Sequence, residues 1–139
     1  MKVFLDPWGR KPTRAHDTDA GLDLYSGEYV EIQPHSSAVI DTGVHVELPE
    51  HTAGLIVAKS GLNVNFDITS TGLIDEGYIG SIKIKLYNNG NEHRYIEKGQ
   101  KISQLVIIPV CYDDVELVDT LNELRQSARG MKGFGSTGV

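Results

Sequence analysis

The chain has 139 residues, 40% hydrophobic and 23% charged, with a formal net charge of −6 and one cysteine. That length holds one domain around one core, and the composition is ordinary for a globular protein, which excludes a disordered chain. The acidic balance excludes broad, stable nucleic-acid binding, which needs a basic surface, and no apolar run suits a bilayer span or a signal peptide, so no membrane association and a cytoplasmic location are expected.

In chain order, short apolar or alternating runs occur at residues 22–25, 29–32, 37–40, 44–48, 53–58, 81–88, 95–97 and 102–110. Gly27, Pro34, Gly43, Pro49 and the Asn88-Asn89-Gly90-Asn91 cluster punctuate them. Strands of this length between turn residues predict an all-β fold, a jelly roll or related sandwich. Strict alternation in Ile82-Lys83-Ile84-Lys85-Leu86 predicts one buried face, and the unbroken Leu105-Val106-Ile107-Ile108 run predicts a strand covered on both sides. After Ser60 a short helix is expected, with the serine as cap and Leu62, Val64 and Phe66 turned inward. Leu117, Leu121, Leu124 and Ala128 have helical spacing, although the β-branched start of that stretch suits a strand as well. The apolar flank of Cys111 predicts a buried, inert thiol.

Three internal segments and the C-terminal tail carry candidate chemistry. Asp23 lies between Leu22 and Leu24 in a strand, where a carboxylate either meets solvent or holds the water shell of a Mg²⁺ ion arriving with a triphosphate. Lys59, Ser60 and Gly61 place a cation, a hydroxyl and a glycine at the helix start, a setting for phosphate or simply a cap. The stretch from Gly72 to Gly80 reads as a hairpin in which Asp75, beside Leu73 and Ile74, is held partly dry as a general base toward water and Tyr78 offers a flat ring to a sugar. The same stretch also suits a plain surface hairpin. Glu76, next to Asp75, is expected to point away from it.

The last eleven residues contain four glycines, the cations Arg129 and Lys132, the hydroxyls Ser136 and Thr137, and the lone aromatic Phe134. Such a tail has too little apolar surface to build a core and is equipped instead to close over an anionic, stackable ligand such as a nucleotide. The five histidines show no metal-ligand spacing, and one cysteine cannot complete a zinc site.

Taken in order, residues 20–26, 59–63, 72–80, 99–105 and 129–138 resemble the five motifs of the trimeric dUTP pyrophosphatases, the dUTPases, ending in Gly133-Phe134-Gly135-Ser136-Thr137-Gly138. The resemblance implies a distorted jelly-roll β-sandwich over residues 1–128, a homotrimer, and an arm, residues 129–139, that closes over an active site of a neighbouring subunit. It implies hydrolysis of dUTP to dUMP and pyrophosphate with Mg²⁺, which limits uracil in DNA and supplies dUMP for dTMP synthesis. Asp75 matches the catalytic base that directs water at the α-phosphorus, Tyr78 the ring against the deoxyribose, and Asp23 the carboxylate that binds Mg²⁺ through water. Lys59, Ser60, Gly61 and Gln104 match phosphate contacts, while the backbone around Gly72 and Ile74 matches the part that reads uracil. Arg129, Ser136 and Thr137 match groups that grip the far phosphates, and Phe134 with Gly135 the lid over the base.

Three positions depart from the family pattern. Lys59 stands where arginine is usual, giving a point charge in place of a bidentate fork. The segment Ile68-Thr69-Ser70-Thr71 has no asparagine of the kind many relatives place before the third motif, and Met131-Lys132 stands where glycine is common. Two alternatives accompany the leading reading: a dCTP deaminase of the same fold, which needs a glutamate to move protons at the base, and a regulatory protein whose nucleotide-closed tail engages a protein partner.

Overall fold

The structure is a computed structural model and describes residues 1–128, 130 and 131. It is mostly β, and every strand pairing is antiparallel. Strand β1 (Lys2–Leu5) pairs with β5 (Val44–Glu47), and β3 (Val30–Ile32) pairs with β10 (Arg94–Ile96). One larger sheet has the order β2-β11-β6-β8, formed by Gly21–Tyr25, Lys101–Pro109, Thr52–Ala58 and Thr71–Ile74. The other has the order β4-β9-β7, formed by Ser36–Asp41, Lys83–Asn88 and Ile68–Thr69. Neighbours in the sheet are seldom neighbours in sequence, as in a jelly-roll sandwich.

The eight expected strands are all present within two residues of their predicted ends; β1, β7 and β8 are additional. β9 alternates exposed and buried residues throughout, which places Ile84 and Leu86 in the core and Lys83 and Lys85 in solvent. Leu24, Ile32, Ile40, Ile96, Ile102 and Leu105 complete the centre of that core. The buried Asn88 at the end of β9 donates its amide to the carbonyls of Ile32, Gln33 and Glu92 and accepts from the Gly90 N–H, so its polar atoms are satisfied. β11 lies between β2 and β6, yet of the Leu105–Ile108 run only Leu105 is fully buried and the following three residues are half-buried.

Four local expectations are corrected. Helix α1 runs Ser60–Phe66, but Lys59 occupies the cap position and no side chain caps the helix. None of its residues is fully buried: Leu62 packs at the margin of the core while Val64 and Phe66 are exposed. With seven residues the helix is too short to present a continuous apolar stripe. Of the C-terminal leucines only Leu121 lies in a helical turn, the 3-10 turn Leu121–Glu123, closed by a Thr120–Glu123 capping box, and Leu117 is 92% exposed. Cys111 is exposed, because β11 ends at Pro109 and the chain then leaves the sheet. Finally, the strands flanking the Gly72–Gly80 stretch belong to different sheets, so this stretch is a crossing turn and not a paired hairpin.

Candidate active site

Side by side on β2 and β11, Asp23 and Gln104 are paired across the ladder, and Gln104 on its other side faces Val57, two residues before Lys59. The three strands therefore bring residues from distant parts of the chain to one end of the sheet. Asp23 is only 3% exposed. Its Oδ1 accepts from Lys59 Nζ at 2.5 Å and Gln104 Nε2 at 3.3 Å, and its Oδ2 lies 2.7 Å from Lys101 Nζ. Burial pushes the carboxyl pKa up, but hydrogen bonds from Lys101 and Lys59 and the charge of Lys59 outweigh it, leaving the group below its ordinary value. Lys101 in turn is raised by its bond to Asp23.

Close packing holds this cluster in place. A Cβ on Gly21 would come within 3.0 Å of the Gln104 side chain, so glycine there leaves room for the amide to lie toward Asp23. Behind the cluster the Arg10 guanidinium stacks over the Tyr25 ring at 4.2 Å, and the Tyr25 hydroxyl meets Thr13 Oγ1 at 2.5 Å. Ser60 and Gly61 are exposed beside the cluster, and a Cβ on Gly61 would meet nothing within 4 Å.

The second group of site residues is in the turn after β8. The Tyr78 N–H donates to the Asp75 carbonyl at 3.0 Å, closing the turn. Asp75 is exposed, contrary to the partly dry carboxylate expected from its apolar neighbours; Leu73 is itself 60% exposed, so it shields little. Glu76 does point elsewhere. Its carboxylate accepts from the Tyr112 hydroxyl at 2.5 Å and the His51 N–H at 2.9 Å, and the Tyr112 bond leads in holding it below its ordinary pKa. Tyr78 is 43% exposed and its hydroxyl donates to the Ser81 carbonyl. The ring lies so close over Gly80 that a Cβ there would overlap the Tyr78 hydroxyl. In the segment before the turn, Thr69 accepts from the Asn89 amide, and the buried Ser70 hydroxyl is bonded to Ser103.

Within one chain these two groups are far apart. Ile74 pairs with Gly54 and Thr71 with Val57, so Asp75 is level with the beginning of β6 while Lys59 follows its end. Six strand residues at about 3.3 Å each separate the two levels by about 20 Å. Gly72 and Ile74 lie on β8 itself, at the edge of the sheet. Arg129, Phe134, Gly135, Ser136 and Thr137 lie outside the described residues.

Sequence reasoning passed over Lys101 although it lies within the fourth motif. In a regular strand residues 101 and 104 face opposite ways, but a register irregularity between Lys101 and Ser103 turns both toward Asp23. Arg10 and Thr13 were also missed, since nothing local in sequence ties them to Tyr25. Among the described residues no group of three or more His, Cys, Asp or Glu side chains gathers as a metal cage, and no helix is long and apolar enough to cross a membrane.

A dUTPase family model matches residues 9–138. Deoxyuridine 5'-triphosphate nucleotidohydrolase of Clostridium acetobutylicum is 48% identical over 131 residues, covering 92% of this chain and 88% of the relative. The protein of that name in Clostridium novyi is 42% identical across the full length of both. Among solved structures, a mutant dUTPase of Staphylococcus bacteriophage 80alpha with dUpNHpp superimposes with a TM-score of 0.91 at 34% identity, covering 99% of this chain and 98% of that one. A mutant dUTPase from phage phi11 of S. aureus, described for its coordination of a structural Mg(II) ion, has a TM-score of 0.80 at 32% identity over 87% and 97% of the two chains. The ordered motifs, the strand topology and these likenesses agree, and the chain belongs to the dUTPase family.

Proposed function

We propose that the chain, a dUTP diphosphatase, hydrolyses dUTP to dUMP and pyrophosphate at sites built between the subunits of a homotrimer. The observation that carries the shared site is the separation of about 20 Å along the sheet between Asp75 and Lys59 in one chain, farther than a base and a phosphate ligand acting on one phosphoryl group can be. A second subunit has to bring its Asp75 turn to the Asp23–Lys59 cluster of the first. That docking also supplies the burial that Asp75 lacks in a single chain.

At such a site Lys59, the Ser60 hydroxyl, the Gly61 N–H and Gln104 bind the phosphates, with Lys101 as an added cation beside Asp23. Asp75 takes the proton from an in-line water that attacks the α-phosphorus. Tyr78 packs against deoxyribose and excludes a 2′-hydroxyl, while the β8 backbone around Gly72 and Ile74 reads uracil. Arg129, Ser136 and Thr137 grip the distal phosphates, and Phe134 with Gly135 closes the arm, residues 129–139, over the base on a neighbouring body formed by residues 1–128.

The donor set suits Mg²⁺ held through water: Asp23 is hydrogen-bonded and kept below its ordinary pKa, and among the described residues no three His, Cys, Asp or Glu side chains gather with it, so water and phosphate would supply most ligands. An ion held there would supply positive charge against the triphosphate. Asp23 would hold such an ion through water, while Lys59 and Lys101, which bond the same carboxylate, present positive charge to the phosphates.

Subunit mixing tests the shared site. Asp75→Asn and Lys59→Met chains, each inactive alone, are refolded together and assayed for pyrophosphate release from dUTP. Recovered activity is expected, because some interfaces then pair an intact turn with an intact cluster; mixtures as inactive as their parents would place each site within one chain.

A further inference from the structure

The turn bearing Asp75 and Tyr78 is fastened to the subunit at two points beyond the tyrosine. The Ser81 hydroxyl donates to the Asp41 carboxylate, and the Ile79 carbonyl lies 2.8 Å from His45 Nδ1. His45 is a half-buried residue of β5 whose other ring nitrogen, Nε2, lies 3.2 Å from Asp6 Oδ2, just beyond β1. Phe4, opposite His45 in the β1–β5 ladder, sets its ring edgewise against the imidazole, with centroids 5.4 Å apart.

Both partners of the imidazole are acceptors. A neutral ring has a single N–H and satisfies only one of them, leaving a lone pair against the other, whereas an imidazolium donates to both. The surrounding charges favour the imidazolium: the Ile79 carbonyl and then Asp6 raise the His45 pKa, Asp41 adds to this, and partial burial opposes it. Lys83, opposite Asp41 in the β4–β9 ladder, acts on Asp41, and the exposed Lys2–Glu47 pair closes the other end of β1–β5.

We propose that His45 is a proton-dependent positioning residue. As an imidazolium it clamps the Ile79 carbonyl to Asp6 and holds the Asp75–Tyr78 turn in the shape that meets the nucleotide sugar. On losing its proton it releases one of the two bonds, and the turn loosens. The link to substrate rests on the placement of Tyr78 against the sugar under Proposed function; the clamp itself does not.

Two readouts on the full-length protein separate these parts. Amide nitrogen–proton NMR spectra of the nucleotide-free protein follow Ile79, Gly80 and Ser81 alongside the His45 ring as pH rises, and KM and kcat for dUTP are measured over the same range. The amides are expected to move with the midpoint of the ring, and KM to rise about threefold through it, the loss of one modest hydrogen bond. His45→Gln removes the inflection. Asp6→Asn moves it to lower pH, and keeps the test open if the glutamine variant does not fold. Amides that ignore the His45 titration, or a midpoint unmoved by Asp6→Asn, overturn the clamp. Amides that follow the ring while KM stays flat uphold the clamp and overturn the placement of Tyr78 against the sugar.

Discussion

The Lys59 ammonium and the Asp23 carboxylate are bonded to each other at 2.5 Å, at the junction where β6 passes into α1 and β2 meets β11. One of these residues is assigned to phosphate and the other to the water shell of a cation. Lys101 and Gln104 complete the bonds to the carboxylate, so two ammonium groups share one carboxylate and the cluster keeps an excess of one positive charge. Its members are therefore coupled, and altering one changes the setting of the rest.

Asp23→Asn leaves two ammonium groups around a neutral amide. A loss of about 1–2 kcal/mol in urea denaturation at neutral pH is expected, less than for a sealed ion pair because solvent reaches Lys101. The folded pKa of Asp23 lies below its unfolded value, so its contribution is present above the unfolded pKa and is lost as pH falls through the folded one. Stability of the parent should therefore fall more steeply in acid than that of the variant; parallel curves would contradict the assignment.

Asp75 and Glu76 are adjacent and differ in use. Asp75→Asn is expected to lower kcat by about 10²–10⁴-fold while nucleotide affinity measured by calorimetry is kept. Glu76→Gln, whose carboxylate serves the His51 N–H and the Tyr112 hydroxyl, should keep turnover within about threefold and act on stability instead. Steady-state pyrophosphate release on both variants distinguishes them.

Gly61 has a negative-φ backbone and open space where a side chain would begin. Gly61→Ala should leave the fold unharmed or stabilise it by up to about 1 kcal/mol, since alanine is the better helix residue. If the Gly61 N–H meets phosphate, the added methyl raises KM for dUTP. Thermal unfolding and kinetics together show whether the two effects part.

Gly80 yields its side-chain space to the Tyr78 ring. Gly80→Ala must push that ring away, so the preference for dUTP over UTP should narrow by about tenfold, the effect of losing one well-placed apolar contact. Competition between the two nucleotides in one assay measures it.

Much of the architecture was legible because strand periodicity and turn residues report burial directly, as in β9 and around Asn88. β1, β7 and β8 were not. Lys2–Leu5 alternates weakly and stays largely exposed, and the two short strands between Ile68 and Ile74 owe their shape to partners, β9 and β6, rather than to local propensity. At the candidate site, Asp23, Lys59 and Gln104 are legible as candidates because each carries a charged or polar group in a recognisable motif, and the fold brings the three together. Lys101 was hidden by a break in strand register, which no spacing rule anticipates. The crossing turn was mistaken for a hairpin because glycines mark a reversal of the chain without saying which sheet receives it.

The amide of Asn88 bears on how the protein ages. Asn89-Gly90 is the kind of dipeptide in which the glycine nitrogen attacks the preceding side-chain amide and ammonia is lost through a cyclic imide. Here the Gly90 N–H is held by Asn88 Oδ1 at 3.1 Å, and the Asn89 amide is held by the Asp67 carbonyl and the Thr69 hydroxyl. Nucleophile and target are both restrained, so spontaneous deamidation at this bend is slowed for as long as the fold persists, and isoaspartate there becomes a record of past unfolding.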